Sequence, residues 1–418
     1  MKKYTALYNT IKDKIIGGEL QKGDKIPSVR NTAEIYDVSI TTVQNAYFDL
    51  CADGYVISKE KSGYYVTDIG QINPKEEAAV EQKKTEYDLT GGKADEESFD
   101  FNLWQRYIKS ALRQKDRLLS YSSAKGEYDL RKAIAQYIKD KRNVITSADN
   151  IIIGAGVQPL LQILCVLLDN NSIVSFPDKS FIQGMGIFSS HGFEVHTRDK
   201  NADIIYVSPS HMTRWGDVMP IKRRLELVEH SQKNGALVIE DDYENEFLYN
   251  KKPTPSLYTL GKGNVIYISS FSAMLLPGIR ISFMVLTKEL KEKFEKQSFC
   301  FAQTASKTEQ IALCNYIRDG HINSQTRKIR RLYTAKTKCF AEILQNEIPQ
   351  ADIKLSENFL QIIFEHPYKG DVSSFKESKI DVFIEKYEEE RIKLIISPSA
   401  IPSAGLESAA KRLKKVFG

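Results

Sequence analysis

A chain of 418 residues, 42% hydrophobic and 27% charged, has the composition of ordinary folded protein and room for two or three domains with cores of their own. No apolar run reaches the length that spans a bilayer, and Met1-Lys2-Lys3-Tyr4 leads directly into polar helical sequence, so a cytoplasmic protein with no membrane partner is expected. The net charge of +5 permits nucleic-acid binding without requiring it, and Cys51, Cys165, Cys300, Cys314 and Cys339 lack metal-site spacing, so no metal is expected.

Tyr4, Leu7, Tyr8, Ile11 and Ile15 form the apolar stripe of a first helix, which Gly17-Gly18 ends. Pro27 and Ser28 suit the start of a second, because a missing N–H costs nothing there and a hydroxyl can cap; it runs to about Tyr36. Asp37-Val38 makes a tight turn and Ser39 can cap a third helix, with Val43, Ala46, Tyr47 and Leu50 buried and Ile40, Thr41, Gln44 and Asn45 on the other face. Residues 54–58 and 64–67, rich in aromatic and β-branched side chains, read as a hairpin around Lys59-Glu60-Lys61-Ser62-Gly63.

Three helices and a basic-tipped hairpin make a winged helix-turn-helix. Thr41, Gln44 and Asn45 suit base edges, while Arg30, Lys59 and Lys61 suit phosphates or a minor groove. Over residues 1–67, nine basic side chains stand against eight acidic, so charge alone leaves open a small oligomerisation domain with a solvated polar face. Ile26-Pro-Ser-Val-Arg30, Val38-Ser-Ile-Thr-Thr-Val43, Ala46-Tyr47, Leu50, Gly54 and Ser62-Gly63 resemble the GntR-family winged-helix signature across the whole segment 1–68. The resemblance implies a double-stranded DNA operator as partner, contacted through Ser28, Arg30, Ser39, Ile40, Thr41, Thr42, Gln44, Asn45, Lys59, Lys61 and Gly63. That family usually carries an arginine where Ile40 stands; Ile40 offers a surface for a thymine methyl instead.

Residues 69–97, with Pro74 and many charges, read as a linker, and residues 98–418 as one further domain. Within it short apolar strands alternate with helical stretches, at 151–153, 172–176, 203–207, 236–240, 264–269 and 281–286. Continuous hydrophobicity argues for a mostly parallel sheet buried on both faces, whose ligands sit at the carboxyl ends of its strands. There Gly154-Ala-Gly-Val-Gln158 opens a helix and can hold a phosphate, Glu240-Asp241-Asp242-Tyr243 clusters carboxylates with a phenol, and Ser270, Ser272 and Arg280 suit a second phosphate contact.

With Trp104, Tyr121, Gly126-Glu-Tyr-Asp-Leu-Arg131, Arg142-Asn143, Tyr206, Ser208-Pro-Ser-His211 and Glu240 to Phe247, these motifs resemble fold-type-I pyridoxal-phosphate enzymes, specifically the aminotransferase-like domain of MocR-type regulators within the GntR family. The resemblance implies an α/β chain: an N-terminal winged helix-turn-helix plus a C-terminal fold-type-I aminotransferase-like, mostly parallel sheet with a small α+β subdomain, assembled as a homodimer. It also implies that Asp241 pairs with the pyridine nitrogen, Tyr243 with the ring hydroxyl, and Gly156, Val157, Gln158, Ser270, Ser272 and Arg280 with the phosphate, with His211 nearby.

The family's Schiff-base lysine belongs at Ala273, where a methyl group forms no imine, so no catalytic residue is expected and pyridoxal phosphate is non-covalent at best. Lys179 stands where an aromatic normally stacks, Met212-Thr-Arg-Trp215 replaces a usual Gln-Phe-Pro-Thr, and Lys393 replaces the arginine that grips a substrate carboxylate. These correlated departures favour natural loss over one introduced change. The expectation is a DNA-binding regulator whose pocket senses a small molecule; a working aminotransferase and a constitutive DNA-binding dimer are the alternatives.

Overall fold

The structure, a computed structural model, describes residues 3–60, 62–68, 85–212, 217–243, 245–247, 254–261, 263–388 and 390–417. The chain divides into two units, residues 1–82 and 83–418.

The first unit holds α1 (Lys3–Ile16), α2 (Val29–Ile35), α3 (Ile40–Ala52), β1 (Val56–Lys59) and β2 (Gly63–Val66). Leu7, Ile11 and Ile15 of α1 pack on Val43, Ala46, Tyr47 and Leu50 of α3, and Ile26, Val56 and Val66 close the core. Gly18 turns left-handed just beyond α1, and Asp37, at φ 45°, makes the turn between α2 and α3. The wing is antiparallel, with Val56 opposite Val66 and Lys59 opposite Gly63. Tyr47 is wholly buried; its hydroxyl meets Thr32 Oγ1 at 2.6 Å and donates to the Pro27 carbonyl at 2.7 Å, tying α3 to the entry of α2.

The second unit runs through β3 (Tyr87–Asp88), α4 (Phe101–Leu112), α5 (Lys115–Leu118), α6 (Tyr128–Arg142), β4 (Ile151–Gly154), α7 (Val157–Leu167), β5 (Ile173–Phe176), α8 (Ile182–Ser190), β6 (Glu194–Thr197), β7 (Ile204–Val207), α9 (Ile221–Asn234) and β8 (Leu237–Asp241). It continues through α10 (Leu257–Leu260), β9 (Val265–Ser270), β10 (Ser282–Val285), α11 (Lys288–Gln297), α12 (Lys307–Arg318) and the long α13 (His321–Glu347). The last part is β11 (Asp352–Leu355), β12 (Ile362–Pro367), α14 (Ser373–Glu377), β13 (Ile380–Asp381), β14 (Phe383–Glu388), β15 (Arg391–Ile396) and α15 (Leu406–Phe417).

The main sheet has the order β4-β10-β9-β8-β7-β5-β6. Only β10 runs antiparallel to its neighbours there. Strands β4, β7 and β10 are buried at every position, the edge strand β4 included, which is why they read as near-continuous apolar runs. A four-stranded antiparallel sheet, β11-β12-β15-β14, forms the smaller α+β part with α13 and α15 over its core.

One expectation needs correction. Residues 85–97, read from their charge as the end of a linker, belong to the second unit. Tyr87 and Asp88 pair in parallel with Ile380 and Asp381, and Leu89 is fully buried in the core with Phe340 and Leu394. Asp95 is 3% exposed because Lys336, equally buried, neutralises it; the charge that suggested a solvated tether is half of a buried ion pair.

Candidate functional site

In the first unit the inward stripe of α3 leaves Thr41, Gln44 and Asn45 exposed on the opposite side, with Ile40 beside them 49% exposed. Ser28 and Ser39 cap α2 and α3: Ser28 Oγ accepts from the Asn31 N–H at 3.3 Å and Ser39 Oγ from the Thr42 N–H at 3.2 Å. Thr42 is half-buried with its hydroxyl 2.8 Å from Ser39 Oγ, so it serves the cap rather than the outward face. Arg30 is exposed in the first turn of α2. At the wing, Lys59 Nζ lies 4.7 Å from the centre of the Tyr65 ring, and Gly63 takes φ 114°. Lys61 lies outside the described residues. Two capped helix starts, an arginine and a lysine-bearing wing surround a helix face of short polar side chains. Such an arrangement can hold phosphates while side chains reach base edges.

In the second unit a cavity of about 510 Å³ opens at the carboxyl ends of β5, β7, β8 and β9. Val157, His211, Asp241, Tyr243, Ser270, Ser272 and Ala273 line it, so seven residues scattered over more than a hundred positions of sequence come together. The Asp241 carboxylate accepts a short hydrogen bond from Tyr206, whose phenol burial first and Asp241 second push well above its ordinary value. The rings of His211 and Tyr243 lie 4.8 Å apart. Ser270 Oγ accepts from the Ser272 N–H at 3.2 Å, and Ser272 Oγ is buried with no hydrogen-bond partner among the described residues.

Gly156 begins α7 with φ 96°, and a Cβ there would run into the Arg280 guanidinium. Arg280 therefore lies directly against the start of that helix, where N–H groups and dipole favour an anion. Gln158 is exposed on the first turn of α7, outside the cavity lining.

Strand alternation separates the three consecutive carboxylates. Asp241 faces the cavity; Glu240 and Asp242 point the other way and are fully buried. Asp242 accepts from Arg142 Nε at 2.6 Å and Nη2 at 3.2 Å, from Ser210 Oγ at 2.6 Å and from Tyr267 Oη at 2.8 Å. Glu240 caps the start of α10, accepting from the Leu257 and Tyr258 N–H groups at 2.9 Å each. Burial first and the charge of Asp242 second raise its carboxyl to about 7.

Residues 3–66 match the family described as bacterial regulatory proteins, gntR family, and residues 94–364 match aminotransferase class I and II. An uncharacterized HTH-type transcriptional regulator of Bacillus subtilis, YdeL, is 33% identical over 369 residues, covering 82% of this chain and 80% of the relative. The chain belongs to the GntR-family regulators that carry an aminotransferase domain. The rhizopine catabolism regulatory protein MocR of Rhizobium meliloti, so named as probable, is 27% identical over 82% of this chain and 77% of its own. Among solved structures, an archaeal alanine:glyoxylate aminotransferase superposes with a TM-score of 0.70 at 21% identity, over 79% of this chain and 90% of that one. LysN, an α-aminoadipate aminotransferase of Thermus thermophilus complexed with N-(5'-phosphopyridoxyl)-L-leucine, gives 0.67 at 20% identity, over 80% and 92%. Both show the aminotransferase fold.

Of the residues singled out from the sequence of this GntR-family chain, Lys179 and Lys393 do not line the cavity, nor do Gln158 and the Gly156–Arg280 pair at the start of α7. Lys179 is exposed, and the ring that reaches the cavity from this loop is Phe181, two positions on, 5.5 Å from the Tyr206 ring. Lys393, on β15, stands opposite Glu365 on β12 and pairs with its carboxylate at 3.4 Å. Of the altered run 212–215, Met212 lines the cavity and the rest lies outside the described residues. Sequence reading missed Thr90, Gln361, Phe383 and Ile395, which reach the wall from the 85–97 stretch and the small sheet. Nothing local marks them. Tyr206 was legible as a motif residue at a strand end; its bond to Asp241 was not.

Proposed function

We propose that this chain is a transcriptional regulator of the cytoplasm: the winged helix-turn-helix binds a double-stranded operator, and the aminotransferase-like unit dimerises and senses a small molecule without catalysing a reaction. The reading rests on an outward Thr41-Gln44-Asn45 face on α3 and, in the other unit, a cavity lined by Ala273, which by the resemblance stands where an aminotransferase carries its Schiff-base lysine. Arg30, Lys59 and Lys61 act on phosphates, Ser28, Ser39, Thr42 and Gly63 hold the helix starts and the wing in place, and α3 reads bases.

Pyridoxal phosphate fits the residues present. Gly156 leaves room for Arg280 at the start of α7, the orphaned Ser272 Oγ needs an acceptor or donor, and Asp241 supplies a carboxylate at the cavity wall. When bound, the cofactor would bring a phosphate and a ring nitrogen for these groups, and its aldehyde would find no amine at position 273 to tether it or to carry a proton. A different small effector with an anionic group is served by the same cradle. Lys393, paired with Glu365, is no carboxylate clamp in this arrangement.

The test uses the purified full chain and its own upstream DNA. Sequence-preferring binding that weakens steeply with salt is the expected result, and its absence removes the regulator reading. Turnover of an amino acid with added cofactor, lost on Asp241→Ala, would favour the aminotransferase alternative instead. Ligands that raise the unfolding temperature of the whole protein exclude a constitutive dimer with an occluded pocket.

A further inference from the structure

The outward face of α3 carries more than its polar side chains. Thr41, Gln44, Asn45 and Phe48 recur at i, i+3, i+4 and i+7, opposite the buried stripe, and Phe48 is 73% exposed. Ile40, four residues before Gln44, adds a second apolar side chain at 49% exposure. The helix, ITTVQNAYFDLCA, contains no lysine or arginine from end to end. The cations of this unit stand elsewhere, among them Arg30 on α2, Lys12 and Lys14 on α1, and Lys25 and Lys59 beside Tyr65 at the wing.

In a major groove that division has a consequence. Guanine offers two acceptors, N7 and O6, which arginine or lysine fills best; adenine offers N6–H and N7, the pattern an Asn or Gln amide matches; thymine offers a methyl group to apolar side chains. A single exposed phenylalanine on a surface is ordinary. One that shares a stripe with Gln44 and Asn45, on the helix of a GntR-family unit that faces bases, has an apolar partner in the thymine methyl.

We infer that α3 reads A·T pairs: Gln44 and Asn45 bond adenine edges, and Ile40 and Phe48 pack on thymine methyls, while guanine contributes little beneath this helix. The inference rests on the DNA-binding reading above and specifies which bases that reading engages.

Sites selected by the full-length protein from random duplexes, then remade with deoxyuridine for thymidine, test it. Uracil pairs as thymine does and lacks only the methyl. Selected sites are A·T-rich beneath α3, and each contacted thymine loses about fourfold in affinity on substitution, the transfer value of one methyl group. Phe48→Ala erases the uracil penalty at one position, whereas Lys59→Ala weakens thymine and uracil sites alike. Equal binding of both duplexes, or a selected guanine beneath α3, overturns the inference and leaves DNA binding standing. Failure to select any sequence removes both.

Discussion

The Arg142 guanidinium holds Asp242 with two hydrogen bonds, 2.6 Å from Nε and 3.2 Å from Nη2, and Asp242 is fully buried next to the cavity-facing Asp241. Removing one member of a buried pair strands the other's charge, which costs about 3–5 kcal/mol. Arg142→Ala is expected to lower the unfolding free energy of the second unit by that order, read as a lower urea midpoint, and Arg142→Lys, with a single point charge for a planar fork, to recover only part. An unchanged midpoint for Arg142→Ala would show that the pair does not hold this end of β8 in place.

Glu246 gives a stability change with pH. Burial first and Asp242 second raise its carboxyl from 4.5 to about 7, so the fold keeps a proton that the unfolded chain has released between those values. Stability therefore falls as pH rises from about 4.5 to 7 and levels off above, by at most about 3 kcal/mol for this group. Melting temperatures of the intact protein between pH 5 and 8 should show that slope. Glu246→Gln, which keeps an acceptor for Tyr137, should lessen it and leave the part that Glu240, raised to about 7 as well, contributes over the same range.

Tyr47→Phe removes the hydroxyl that bonds Thr32 and the Pro27 carbonyl inside the first unit. Leaving those partners short of a bond in a buried place costs about 1–2 kcal/mol. Denaturant titration of the full chain, followed by a probe in residues 3–68, should show the loss in this unit and none in the other. Equal stability would mean that the long bond Thr32 Oγ1 already makes to the Pro27 carbonyl, 3.4 Å, tightens to replace the lost one.

Ala273→Lys places an amine on the cavity wall beside Ser272 and Asp241. With pyridoxal phosphate and borohydride, the variant is expected to gain the mass of one phosphopyridoxyl group, and the unsubstituted chain to gain none at this site. A chain that carries the adduct without the substitution would mean that another lysine reaches the cofactor. No adduct on the variant would count against position 273 as the site of the missing amine.

Much of the first unit was legible because its signals are local. Leu7, Ile11 and Ile15 on one helix, Val43, Ala46, Tyr47 and Leu50 on another, and the serine caps are periodicities and turn chemistries that the chain must satisfy within a few residues. The buried strands of the second unit were legible for the same reason. Strand β6 was not, because it is an edge strand without an apolar run. Residues 87–97 misled because Leu89 and Asp95 find their partners only after some 240 residues or more of further chain.

By itself the sequence determined two units, a capped three-helix wing domain and a doubly buried sheet, and it put Asp241, Tyr243, Ser270, Ser272 and Ala273 at strand ends, where they line the cavity. Only the tertiary structure decided that Glu240 caps α10 and Asp242 pairs with Arg142 while Asp241 faces the cavity, that Phe181 rather than position 179 supplies the ring, and that Lys393 turns to Glu365. The physical reason is burial. A carboxylate or a cation goes where a partner neutralises it, and Arg142, Lys336 and Glu365 each reach their partner from another strand or helix, where nothing in the neighbouring sequence announces them.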